Sequence, residues 1–227
     1  MDASQRSMGL DWPTAAELIA RVLPEAKATP GADLACSAGP DQITPDQARG
    51  LDDVVRAYEV QIEHVEKHGG KVILMTSRAL CHVAKGPDDY LSVYGRLIRQ
   101  SRGKVILHWL GEMFDPALEG YWGNRNFRSA METALTLIRE HAAKIDGIKI
   151  SLLDAGKEIE MRRLLPKGVT TYTGDDFNYA DLIAGDDKGF SDGLLGIFDP
   201  IAPAAAAALG RPEAGNRHVF EMPSLTC

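Results

Sequence analysis

"DGIKISLLDAG", residues 146–156, reads as a buried β-strand interrupted by one charge. Successive side chains of a strand point to opposite sides. Alternation along 147–153 therefore puts Ile148, Ile150 and Leu152 on one face and Lys149, Ser151 and Leu153 on the other. If the isoleucines pack beneath helices, Lys149 points away from them, and what lies on that side decides the kind of sheet. Five more β-branched runs read as strands: "ADLACSA" (32–38), "KVILMTS" (71–77), "KVILHWL" (104–110), "VTTYTG" (169–174) and "GLLGIF" (193–198).

Between these runs the apolar period becomes helical. Leu51, Val54, Val55, Tyr58, Ile62 and Val65 recur at spacings of three and four and stop near "HGG". "PTAAELIARVL" (13–23) carries Pro13 in its first turn, and Pro87 opens a helix that Gly103 can close. Residues 124–144 form another, capped by Asn124 or Asn126, and "KEIEMRRLL" (157–165) is stopped by Pro166 and Gly168. Strand and helix in alternation give a parallel sheet, because parallel neighbours need a crossover that a helix supplies. Neither GxGxxG after the first strand nor GxxxxGK[ST] occurs, so the nucleotide-binding form of an open sheet lacks its usual sign. The pattern favours an α/β fold of the (β/α)8 barrel type, incomplete, with six recognisable parallel strands where eight close a barrel.

The 227 residues carry 25 Lys and Arg against 32 Asp and Glu, a formal charge of -7. That balance argues against nucleic acid or an anionic membrane as partner and toward a small molecule. The apolar stretch "GLLGIFDPIAPAAAAALG" is broken by Asp199, Pro200 and Pro203, so no membrane span is read. Three separated cysteines without CxxC suggest neither a disulfide framework nor a thiolate metal site, and fit a reducing cytoplasm.

In a barrel, Lys149 points inward near the end of its strand, on the face where barrel active sites lie. Two readings stand. Its stem packs while its head reaches water or pairs with a carboxylate, or desolvation lowers the amine's pKa and frees it to attack a carbonyl.

"DGIKISLLD" resembles the Gly-Ile-Lys segment of the dihydrodipicolinate synthase and N-acetylneuraminate lyase superfamily, class I aldolases whose sixth strand carries a Schiff-base lysine. "VTTYTGDD" is similar to the seventh strand and its Gly-Asp-Asp turn, and "GFSDGLLGIFDPIAP" to the glycine-rich eighth strand. "GGKVILMTS" and "GKVILHWLGEMFDP" fall where the fourth and fifth strands would be, and "DASQRSMGLDWPTAAELI" where the loop after the second strand enters its helix. The resemblance implies a divergent branch of the superfamily. It divides the chain into a partial barrel over 1–210, from the loop after strand 2 through the helix after strand 8, and an irregular tail over 211–227. It implies a Schiff-base-forming lyase or aldolase acting on a 2-oxo acid, with Lys149 as imine former and no cofactor. It also implies a homo-oligomer, since barrels of this superfamily commonly associate.

Two departures follow. His108 stands where the superfamily usually has a proton-relaying tyrosine; histidine can do that work at neutral pH, or it can be a core residue bonded to a carbonyl. Tyr121 and Tyr172 are other sources of a hydroxyl. The usual carboxylate-binding Gly-Thr-Thr-Gly-Glu loop has no clear copy; Ser4, Gln5 and Arg6 occupy roughly its place, with Arg6 best suited by its fork. Ser77 and Asp175 complete the candidate substrate-binding set.

Two alternatives remain. Glu112, Asp175 and Asp176 could gather a divalent metal at the barrel mouth for a metal-dependent lyase or hydrolase, or serve as caps and solvated charges. The chain could instead be an inactive fragment of a full-length enzyme.

Overall fold

The computed structural model describes residues 10–32 and 34–196. Thirteen helices and strands carry the fold: α1 (Trp12–Ala28), β1 (Ala35–Ala38), α2 (Leu51–Lys67), β2 (Lys71–Leu74), α3 (Arg78–Val83), α4 (Pro87–Gln100), β3 (Val105–Leu110), α5 (Phe127–Glu140), β4 (Ile145–Ser151), α6 (Ala155–Arg162), β5 (Thr170–Thr173), α7 (Tyr179–Ala184) and β6 (Asp192–Gly193).

All pairings are parallel and the strands lie side by side in chain order, β1 to β6. A doubly wound sheet reverses its strand order at a switch point. This one does not, so its winding is that of a barrel, and among the described residues β1 and β6 remain unjoined edges of an open arc.

The helices form where apolar spacing and caps agree. α2 buries Val54, Val55, Tyr58, Ile62 and Val65 along one stripe, with Asp52 and Asp53 in its first turn and Lys67 in its last, each charge suited to the helix dipole. It stops before Gly69, whose φ of 84° suits glycine. α4 starts on Pro87, where the missing N–H costs nothing. Of the two asparagines before α5, Asn126 is the cap, its Oδ1 accepting from Ser129 N at 3.1 Å.

The two faces of the sheet differ. Val105, Leu107 and Trp109 of β3 and Ile148 and Ile150 of β4 join the helices in one large core. Leu107 and Ile148 are fully buried, each worth about 2 kcal/mol relative to exposure. The other, inner face holds a small apolar cluster, Ile73, Met75 and Ile106 with Tyr172 and Leu194 against it. The expected alternation along 147–153 fails at its last residue. β4 ends at Ser151, and Leu153 takes a left-handed φ of 51° that turns the chain into Asp154, the N-cap of α6.

Candidate active site

Lys149 sits on β4 with His108 of β3 and Tyr172 of β5 as its register partners. Met75 extends the same row, its amide continuing the β2 ladder to the Ala38 carbonyl and its Sδ lying 3.4 Å from His108 Nδ1. Lys149 is 7 % exposed and His108 4 %. An amine and an imidazole are thus held side by side on the inner face, away from the helical core.

Two glycines make room for this row. A β-carbon at Gly147 would stand 2.4 Å from the Thr170 carbonyl and 2.6 Å from Tyr172 Cε2, so the tyrosine ring lies against residue 147. A β-carbon at Gly174 would stand 2.8 Å from Lys149 Cε and 2.2 Å from Ser151 Oγ. The glycine of Gly-Asp-Asp therefore makes room for the lysine stem, and that of Gly-Ile-Lys for the Tyr172 ring and the β5 backbone beside it.

Burial, and then the Lys149 charge, push His108 well below the ordinary imidazole value of 6.5. Its ring is neutral at physiological pH, and the same burial and charge oppose its protonation. Nε2 lies 3.0 Å from Ser151 Oγ. The register pairs His108 with Lys149 and Leu110 with Ser151, so this is a diagonal contact between residues 43 apart in the chain. Nothing in the local sequence announces it.

The two tyrosines considered as hydroxyl donors are engaged elsewhere. Tyr172 Oη donates to Asp146 Oδ2 at 2.8 Å, and Lys71 Nζ lies 3.6 Å from the same oxygen. Burial and the Asp146 carboxylate hold this phenol above its ordinary pKa, so it stays protonated. Tyr121 Oη accepts from Ser77 N at 3.0 Å and lies 2.7 Å from Tyr94 Oη. Tyr94 and Tyr58 both donate to the Met75 carbonyl. These phenols hold the carboxyl end of β2 and, through it, the methionine that touches His108.

A cavity of about 570 Å³ opens at the carboxyl ends of β1, β2 and β3, lined among others by Gly39, Asp41, Gln61, Met75, Ser77 and Arg78. Neither Lys149 nor His108 lines it; Met75 is the shared wall between cavity and lysine row. Buried Gln61 braces the mouth, accepting from Gly39 N at 2.9 Å and donating to Asp41 Oδ1 at 3.0 Å. Arg78 is paired with Asp115.

The other sequence candidates fall in distinct places. The Ser77 hydroxyl accepts from Leu80 N as the cap of α3, with its residue on the cavity wall. Asp175 is buried in the turn after β5; Oδ1 accepts from Phe177 N and Asn178 N, and Oδ2 from Asn178 Nδ2 at 2.8 Å. That is a turn-stabilising role. Glu112 is exposed after β3 and lines a separate, smaller hollow. Among the described residues no group of three or more His, Cys, Asp or Glu side chains is arranged to hold a metal ion, so the proposed triad of Glu112, Asp175 and Asp176 is not assembled as a ligand cluster. Ser4, Gln5 and Arg6 lie outside the described residues.

One buried acid carries almost no mark in the sequence pattern. Glu158 of α6 is 1 % exposed, beside Thr173, Ser191, Asp175 and Arg162, and its Oε1 has no hydrogen-bond partner. Burial pushes its carboxyl up to about 7, against the hydroxyls of Ser191 and Thr173. The available signal was its place three residues before Met161, a core residue on the same helix face.

The profile of DUF993, described as a protein of unknown function, matches residues 1–224. The chain belongs to the DUF993 family. No curated protein matches it. Among solved structures, this DUF993 chain is similar to a dihydrodipicolinate synthase from Aquifex aeolicus, at 10% identity and TM-score 0.70, over 99% of this chain and 66% of that one. A 2-keto-3-deoxygluconate aldolase from Picrophilus torridus matches at 13% identity and TM-score 0.64, over 95% and 66%. A chloride-inhibited dihydrodipicolinate synthase from Acinetobacter baumannii complexed with pyruvate matches at 15% identity and TM-score 0.57, over 96% and 75%. The DUF993 chain thus has a (β/α)8-type fold like that of these solved structures, and it spans about two thirds of the length of the first two. Among the described residues no helix is long and apolar enough to cross a membrane.

Proposed function

We propose that Lys149 attacks the carbonyl of a 2-oxo acid and carries it as an imine, making this DUF993 protein a Schiff-base lyase or aldolase. The observation that carries this reading is the lysine row itself: a buried amine on the inner face of a barrel-type sheet, flanked by a neutral histidine and seated over a glycine. Such groups are arranged for covalent carbonyl chemistry rather than for packing. A structural neighbour complexed with pyruvate supports the choice of a 2-oxo acid.

In this reading the Lys149 nitrogen bonds to the carbonyl carbon, and the carbonyl oxygen leaves as water after accepting protons. The iminium then draws electrons from the adjacent carbon, so a C–H or C–C bond there can break without a cofactor. His108 handles the proton. Ser4, Gln5 and Arg6, with Ser77, are assigned the substrate carboxylate, and Asp175 shapes the turn beside the lysine. The substrate is a small diffusible acid, the protein works in the cytoplasm, and its barrels associate as a homo-oligomer.

Borohydride reduction in the presence of pyruvate, read by mass spectrometry, tests this. The wild-type chain gains one covalent adduct and Lys149→Ala gains none. Absence of an adduct across a panel of 2-oxo acids removes the reading.

A further inference from the structure

We assign the ring proton of His108 to Nδ1, where its partner, the Met75 thioether 3.4 Å away, can accept a hydrogen bond and has no proton to give. Nε2 therefore presents a lone pair, and the Ser151 hydroxyl at 3.0 Å donates to it. The same oxygen bounds the small volume over Gly174, with Lys149 Cε on another side of it. Ser151 is thus in contact with the base at one end and close to the terminal methylene of Lys149 at the other. It follows Lys149 by two residues on one strand face, so β4 itself fixes their spacing.

We infer that Ser151 is a catalytic residue that relays protons between the substrate carbon on Lys149 and Nε2 of His108, an assignment that rests on the imine reading. With pyruvate bound as the iminium, the C3–H bond breaks and its proton passes to Ser151 Oγ while the Ser151 proton passes to His108 Nε2. The C–H electron pair becomes the C2=C3 bond of an enamine, and the C=N pair returns to the Lys149 nitrogen. Positive charge leaves the iminium as it arises on the imidazolium, so the charge of the buried site is unchanged by the step. The positive group beside His108 opposes its protonation, and that opposition ends when the neighbouring nitrogen becomes neutral. Reversal of the relay returns the proton when the enamine is quenched.

The test uses the full 227-residue chain and pyruvate, with two readouts: the borohydride adduct, and exchange of the pyruvate methyl hydrogens for deuterium in heavy water followed by NMR. The adduct reports the imine and the exchange reports loss of the C3 proton. Wild type shows both. Ser151→Ala still gives the adduct but loses exchange by about 100-fold or more, the scale of a positioned proton-transfer group. His108→Gln does the same, and the double variant is no slower than either single, because the two act as one unit. Adduct with undiminished exchange in Ser151→Ala overturns the relay and leaves the imine standing. Loss of the adduct in that variant makes Ser151 a packing residue, and losses that multiply in the double variant mean two independent roles; either result overturns the relay. No adduct in the wild type removes the imine and the relay together.

Discussion

The terminal methylene of Lys149 occupies the space that a side chain on residue 174 would need. A β-carbon there would lie 2.8 Å from Cε and 2.2 Å from Ser151 Oγ, closer than real contacts allow. The lysine's pose therefore depends on the residue that follows β5 having no side chain.

Gly174→Ala should accordingly displace Lys149 and Ser151 together. Trapping with pyruvate is expected to fall at least about 10-fold, with a stability loss of about 1–3 kcal/mol from overpacking. The measurements are adduct yield and urea unfolding. Wild-type yield in the variant would mean the lysine reaches its carbonyl from another pose.

Lys149→Met keeps the stem volume and removes the charge. His108 is depressed by burial first and by the Lys149 charge second, so its pKa should rise in this variant yet stay below 6.5. An NMR titration of the ring checks both halves. A His108 pKa that does not move upward would show that the two groups are not electrostatic neighbours.

Glu158 gives stability a pH dependence of opposite sign to the usual carboxylate. Its folded value is raised from 4.5 to about 7, so between those pH values the folded chain keeps a proton that the unfolded chain releases. This contribution is complete below about pH 4.5 and is lost as pH rises toward 7. Glu158→Gln does not titrate. It should match wild type most closely below about pH 4.5 and exceed it at pH 8 by on the order of 3 kcal/mol, read by denaturant melts at both pH values. An unchanged difference would place the Glu158 pKa near its ordinary value. His108 acts the other way, since below 6.5 the unfolded chain binds a proton that the folded chain resists.

Tyr94→Phe removes a fully buried hydroxyl that donates to the Met75 carbonyl at 3.1 Å and partners Tyr121. A loss of about 1–2 kcal/mol in unfolding free energy is expected, because Tyr121 keeps a polar oxygen with one partner fewer. A neutral result would mean Tyr58, the other donor to that carbonyl, satisfies it alone.

Much of this arrangement is legible in the sequence. Alternation put Lys149 and Ser151 on one face, and the helix stripes placed α1, α2, α4, α5 and α6 to within a few residues. The helices α3 and α7 have six residues each, too few for a period to show. Cys81 and His82, adjacent in sequence, fall within α3. Glu158 was hidden for another reason: in "KEIEMRRLL" it reads as one more charge on a polar helix, and only the packing of α6 by β5 and the segment at Ser191 removes it from water.

By itself, the sequence determined the parallel α/β architecture, the inward direction of Lys149 and the glycine two residues before it. Those follow from local periods and from the backbone rules of single residues. Tertiary structure decided the partners. His108 meets Ser151 only because β3 and β4 pair in one register, the Lys149 stem finds its room only because Gly174 follows β5, and Tyr172 turns its hydroxyl to Asp146 instead of the lysine. Each of these contacts joins residues more than twenty positions apart, so register and packing between strands, which no local pattern encodes, decide them.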